Sequence, residues 1–158
     1  MLPALVASVS LGQLADLDAV QRTYLAPEGS GKAAVASPRM TLGSTKGGAV
    51  HMAPAGLVLA LGEGVEEALT LQQELGIPTW ATLGTAGLRA VELPPLPLAS
   101  EVVIGANADD AGREAALAAV QRFRSEGRRT RLMFPPDGLN DFNDALRSER
   151  RYYPVLQK

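Results

Sequence analysis

The 158-residue chain is 46% hydrophobic and 20% charged, which suits one ordinary globular domain with a core and leaves room for a small appended lobe. Its net charge of −2 argues against a broadly basic protein that coats nucleic acid, and the absence of cysteine excludes disulfides and cysteine-ligated zinc or iron–sulfur sites. No apolar run approaches the roughly 20 residues of a membrane span, and Met1-Leu2-Pro3 lacks the basic start of a secretory signal, so the expectation is a cytoplasmic protein without membrane contact.

Ala4 to Ser10 and Asp18 to Leu25 read as β-strands joined across Gly12 into a hairpin. From Pro27 to Ala55 the composition shifts to Gly, Ser, Pro and Lys, with turns expected at Glu28-Gly29-Ser30-Gly31-Lys32 and Gly47-Gly48 and a short strand from Ala49 to Met52. Residues 1–55 are thus expected to form a small β-rich N-terminal lobe. The Gly31-Lys32 pair lacks the Gly-x4-Gly-Lys-Ser/Thr spacing and the following helix of a phosphate loop. His51 is the single histidine and reads as structural or exposed, with no triad around it.

Gly56 to Gly64 opens a second region as a nearly continuous apolar run, the pattern of a parallel strand buried on both faces. Val65, Ala68, Leu69, Leu71 and Leu75 then form an apolar stripe at helical spacing, stopped at Gly76 before Ile77-Pro78. Glu66 and Glu67 fall in the first turn, where acids suit the helix dipole. Thr79 to Leu83 is a further short strand containing Trp80, read as core. Gly84-Thr85-Ala86-Gly87-Leu88 turns into a brief helix; its glycines serve either a phosphate or only the turn.

Glu101 to Ile104 is the next strand, and a helix follows from Ala111 to about Glu126, with Asp109 or Asp110 as its N-cap and Gly127 as its end. Arg122, Arg124, Arg128, Arg129 and Arg131 read as a solvated helix end more readily than as a binding site. Thr130 to Phe134 is the last strand, and Asp141-Phe142-Asn143-Asp144 opens a final helix. Residues 56–150 are therefore expected as an α/β unit, with 151–158 a C-terminal tail holding Tyr152-Tyr153.

In open α/β sheets ligands bind outside the carboxyl ends of the strands. Glu63, Asn107 and Asp109 lie at such ends, and oxygen ligands gathered from separate segments suit a hard divalent cation such as Mg2+.

Gly62-Glu63-Gly64-Val65-Glu66-Glu67-Ala68-Leu69, the acidic residues before Ala111-Gly112-Arg113, Asp141-Phe142-Asn143-Asp144, and the Arg22-Thr23-Tyr24-Leu25 to Pro38-Arg39-Met40 region together resemble the Toprim domain of topoisomerases and bacterial-type primases. The likeness is to primase-like Toprim proteins of phages and mobile elements. It implies a Rossmann-like α/β core with a parallel sheet of about four strands flanked by helices. It also implies Glu63 in acid–base chemistry, Mg2+ or Mn2+ on Asp109 and Asn107 with Asp141 and Asp144 beside them, Glu67 near the metal crevice, and nucleotide or nucleic-acid contacts from Lys32, Arg39, Lys46 and Arg113. Lys32, Arg39 and Lys46 read equally well as exposed loop cations. One departure stands out: where the family has Asp-x-Asp, this chain has Asn107-Ala108-Asp109. The zinc module that often precedes such domains is not expected in a chain without cysteine.

The resemblance implies primer synthesis by metal-dependent nucleotidyl transfer on a single-stranded DNA template, with nucleoside triphosphates as substrates and a replicative helicase as a further partner. Loss of one carboxylate at Asn107 removes an interaction of roughly 4 kcal/mol at 4 Å and an effective dielectric near 20, before desolvation. A second reading follows: a weakened Toprim module that binds nucleic acid or a replication partner. A metal-dependent Toprim nuclease is a third.

Overall fold

A computed structural model describes residues 1–12 and 16–148. The chain forms β1 (Ala4–Leu11), β2 (Ala19–Tyr24), β3 (Arg39–Gly43) and β4 (Gly48–His51), then β5 (Val58–Gly62), α1 (Val65–Leu75), β6 (Thr79–Ala81) and α2 (Thr85–Ala90). It continues through β7 (Glu101–Gly105), α3 (Asp110–Ser125), β8 (Arg129–Met133) and α4 (Phe142–Arg147).

All these strands join one eight-stranded sheet in the order β3-β2-β1-β4-β6-β5-β7-β8. β6, β5, β7 and β8 are mutually parallel. Parallel neighbours need crossover connections, and helices supply them, so the expected α/β core with a four-stranded parallel sheet is present. β4 runs antiparallel to β6, and β1 is antiparallel to both β2 and β4. The N-terminal β-rich lobe therefore continues the same sheet. β1 is shared: Ala4 to Val9 pair with β2, whereas Ser10 and Leu11 pair with β4.

β3 occupies a stretch whose composition pointed to turns. Arg39 to Gly43 pairs with β2 along an outer edge and every one of its residues is exposed. Such a strand has no buried face, so it leaves no alternation in the sequence to detect.

Leu59, Leu61, Trp80, Leu88, Val102, Ile104, Ala115, Ala119 and Phe123 pack together where α2 and α3 meet one face of the sheet. On the opposite face α1 and α4 cover Ala60, Leu71, Val103, Met133 and Phe142. Trp80 is fully buried, donates from Nε1 to the Ala53 carbonyl at 3.0 Å, and stacks on His51 with ring centroids 3.8 Å apart. His51 is thus a structural neighbour of the core, and its burial holds the imidazole pKa below the usual histidine value.

The arginine run is not simply solvated. Arg128 is buried, and its guanidinium donates to the carbonyls of Pro94 at 2.8 Å and of Leu98 and Ala99 at 2.9 Å, while pairing with Glu126 at 3.1 Å. Arg129 and Arg131 flank the buried Glu101 at 3.1 and 2.6 Å. The planar fork of arginine can serve several carbonyls at once, which explains why this cation tolerates burial. No described helix is long and apolar enough to cross a membrane. Tyr152 and Tyr153 lie outside the described residues.

Candidate functional site

The site is built on the turn between β5 and α1. Glu67, one turn into the helix, reaches back so that Oε2 accepts from the Glu63 N–H at 2.9 Å and the Gly64 N–H at 3.3 Å. These amides would otherwise lack intrahelical partners. The Glu63 carbonyl accepts from Gly84 N–H at 2.9 Å, and the Gly62 carbonyl accepts from Thr82 N–H at 2.9 Å. The Gly84 turn is therefore engaged in holding Glu63. Main-chain bonds fix Glu63 from both sides, yet its Oε1 is buried with no hydrogen-bond partner.

β7 delivers the second set of groups. The Ala106 N–H donates to the Met133 carbonyl at 3.0 Å and the Ala108 N–H to the Asn140 carbonyl at 2.9 Å, tying the end of β7 to the end of β8 and to the segment that follows it. Between them Asn107 buries Oδ1 without a partner. Asp109 is the N-cap of α3, its Oδ1 accepting from the Gly112 N–H at 2.7 Å. Asp141 does the same for α4, accepting from the Asp144 N–H at 2.7 Å.

These ends meet in a cleft of about 630 Å3 lined by Glu63, Gly64, Glu66, Glu67, Gly84 and Asn107, with Asp141, Asn143, Asp144 and Arg147 at α4, Lys32 from the connection between β2 and β3, and Arg39 at the start of β3. Of the residues singled out from sequence, Glu63, Asn107, Asp141, Asp144, Lys32 and Arg39 share this cleft. Asp109, Lys46 and Arg113 are not part of its lining. Asp109 borders it electrostatically, since its charge acts on Glu63. Arg113 instead lies over the Phe134 ring at 4.4 Å and donates from Nε to the Ala108 carbonyl at 3.0 Å. Gly84, whose turn was read as serving a phosphate or only the chain reversal, lines the cleft, and Glu66, Asn143 and Arg147 join it without having been singled out as site residues.

Burial raises the Glu63 carboxyl above its ordinary value; the Asn107 N–H opposes this and the charge of Asp109 adds to it. Glu67 is pushed up to about 7, chiefly by burial, against the Glu63 and Gly64 N–H groups and with help from the charges of Glu63 and Asp141. Neither carboxyl is ion-paired with a basic side chain among the described residues, and both would return toward ordinary acidity if a cation arrived. Among the described residues no group of three or more Asp, Glu, His or Cys side chains is arranged to hold a metal by itself. The acceptor oxygens left without partners on Glu63, Glu67 and Asn107, two carboxyl and one amide, nevertheless fit a hard cation.

The profile of the Toprim domain matches residues 58–151. Residues 1–52 match a domain of unknown function (DUF7146). No curated protein matches the chain. The structure of the DnaG primase catalytic domain bound to ssDNA superposes with a TM-score of 0.60 at 17% identity, over 94% of this chain and 48% of that one. The Aquifex aeolicus primase, comprising zinc-binding and RNA polymerase domains, gives 0.62 at 14% identity over 94% and 38%. The RNA polymerase domain of Mycobacterium tuberculosis primase DnaG gives 0.56 at 16% identity over 94% and 52%. The chain thus spans about half or less of each of these structures, and at such identities the likeness is one of fold.

Proposed function

Since this chain belongs to the Toprim domain family through residues 58–151, we propose that it performs primase-type nucleotidyl transfer, extending an RNA primer on single-stranded DNA from nucleoside triphosphates. The observation that carries this reading is the opposition within one cleft of unpartnered acceptor oxygens on Glu63, Glu67 and Asn107 to the cations Lys32 and Arg39. One wall suits a metal-bound phosphate and the other suits free phosphate oxygens.

Glu63 and Asn107 would hold Mg2+ or Mn2+, with Asp109, Asp141 and Asp144 around them. Bound there, the ion neutralises phosphate charge and aligns the attacking and leaving oxygens. The chain's own groups do the rest. Lys32 and Arg39 bind and orient the polyphosphate. Glu63, at the end of β5 with its Oε1 free of hydrogen bonds, would exchange a proton with the primer hydroxyl. The proposal assigns the cations to a lobe of residues 1–55, with Lys46 at its border, and the carboxylates to a unit of residues 56–150. Arg113, beside the cleft on α3, is proposed to contact the template. A replicative helicase as partner, a cytoplasmic location and a place in a phage or mobile element belong to the same proposal.

A second reading is favoured by one residue. Asn107 gives the metal an amide where the family has a carboxylate, which suits a module that binds nucleic acid or a replication partner and catalyses weakly. Labelled-nucleotide incorporation on single-stranded DNA with Mg2+ or Mn2+ separates the two. Synthesis by the natural chain that vanishes in Glu63→Ala supports the enzyme. Silence in the natural chain with synthesis in Asn107→Asp supports the weakened module, and template shortening in place of extension supports a nuclease.

A further inference from the structure

Glu66 stands out because the core does not need it. It lies in the first turn of α1 with its side chain 36% exposed, yet it pairs across the cleft with both basic residues of the opposite wall. Its Oε1 is 3.4 Å from Lys32 Nζ and its Oε2 is 3.5 Å from the Arg39 guanidinium. Among the described residues neither cation pairs with another carboxylate. Lys32 lies in the connection between β2 and β3, where its backbone bridges to Leu25, and Arg39 begins the exposed edge strand, so each side chain can follow an incoming anion without disturbing the core.

The environment of Glu66 keeps it charged. Burial works against ionisation, but its own backbone amide and the charges of Lys32 and Arg39 outweigh that and hold the carboxyl below its ordinary value. A carboxylate with one oxygen on each of two cations presents the same acceptor geometry that a phosphate group would offer them.

Resting on the reading of this cleft as a nucleotide site, we propose that Glu66 is an internal counter-ion that occupies Lys32 and Arg39 in the empty protein and must be displaced by the polyphosphate of the substrate. The carboxylate lowers the affinity for free polyphosphate and keeps the basic wall from holding stray anions. Such half-exposed ion pairs are individually weak, which is what a displaceable contact requires.

The test is calorimetric titration of the full chain with inorganic tripolyphosphate in EDTA, which isolates the basic wall from any metal. Glu66→Gln and Glu66→Ala are each expected to bind about three- to tenfold more tightly than the natural chain, as expected from removing two weak competing pairs. Arg39→Gln and Lys32→Gln are expected to bind more weakly. Equal or weaker binding by both Glu66 variants, with binding still lost in Arg39→Gln, would overturn the counter-ion role and leave the nucleotide reading standing. A lowered melting temperature in both with unchanged affinity would likewise overturn it, since Glu66 would then only dock the N-terminal strands. No tripolyphosphate binding by any of the proteins would overturn the nucleotide reading and this inference together.

Discussion

Gly112 opens a space against Glu63: a β-carbon at Gly112 would sit 3.0 Å from the unpartnered Oε1 of Glu63 and 2.8 Å from the Asn107 carbonyl oxygen. The start of α3 therefore presses on both site residues at once, and only the missing side chain permits it. Because one of the blocking atoms is backbone, the contact cannot be relieved by rotating a side chain. Gly112→Ala is expected to cost about 1–3 kcal/mol of stability, as over-packing does. It should also weaken Mn2+ binding by displacing Asn107 or Glu63. Denaturant unfolding and Mn2+ titration of the same protein check both outcomes.

Asn107→Asp should act in the opposite sense on the metal. A new charge beside buried Oε1 of Glu63 strengthens attraction for a divalent ion, and an increase in Mn2+ affinity of about tenfold or more is expected even after desolvation takes its share. Without metal the same change puts another negative charge near Glu63 and should lower the melting temperature. Melting curves with and without Mn2+ should therefore diverge more for the variant than for the natural chain.

Glu67 gives the fold a pH dependence. Its carboxyl titrates at about 7 in the folded chain against an ordinary 4.5, so between these values the native state holds a proton that the unfolded state has released. Stability is then fully present below about pH 4.5 and is lost as pH rises toward 7, by on the order of 3 kcal/mol. The raised Glu63 acts in the same direction. Glu67→Gln keeps an acceptor for the Glu63 and Gly64 N–H groups but cannot ionise. Its unfolding free energy in EDTA should be markedly flatter over this window.

Arg128 is expected to be a stability determinant remote from the cleft. It precedes β8, at the end of the parallel strands opposite Glu63 and Asn107, and its loss strands the carbonyls of Pro94, Leu98 and Ala99. Arg128→Ala should cost roughly 2–4 kcal/mol. Arg128→Lys should recover only part, because an ammonium lacks the fork. Tripolyphosphate affinity measured well below the melting temperature should not move.

The parallel core was legible because its strands are buried on both faces and so read as apolar runs, while α1 and α3 carry apolar stripes with clear stops. Glu63 and Asn107 could be found at the strand ends for the same reason. β3 was not legible, since an exposed edge strand owes its existence to pairing with β2. Nor was the pairing of Glu66 with Lys32 and Arg39, which depends on how β1 carries the N-terminal strands over α1. Arg128 hid within a charge run because the carbonyls that receive it come from a distant loop.

The two family matches end and begin at residues 52 and 58, but the hydrogen-bonded sheet has no seam there, because Val50 and His51 of β4 pair with Ala81 and Trp80 of β6. A polypeptide beginning at residue 58 would leave β6 as a bare edge, strip the ring that stacks on Trp80, and present an apolar template to other chains. The span of a family match and the unit that stays monodisperse in a test tube therefore differ: severing the chain at the boundary between the matches should yield a sticky fragment, whereas keeping β1 to β4 with it should hold it in solution.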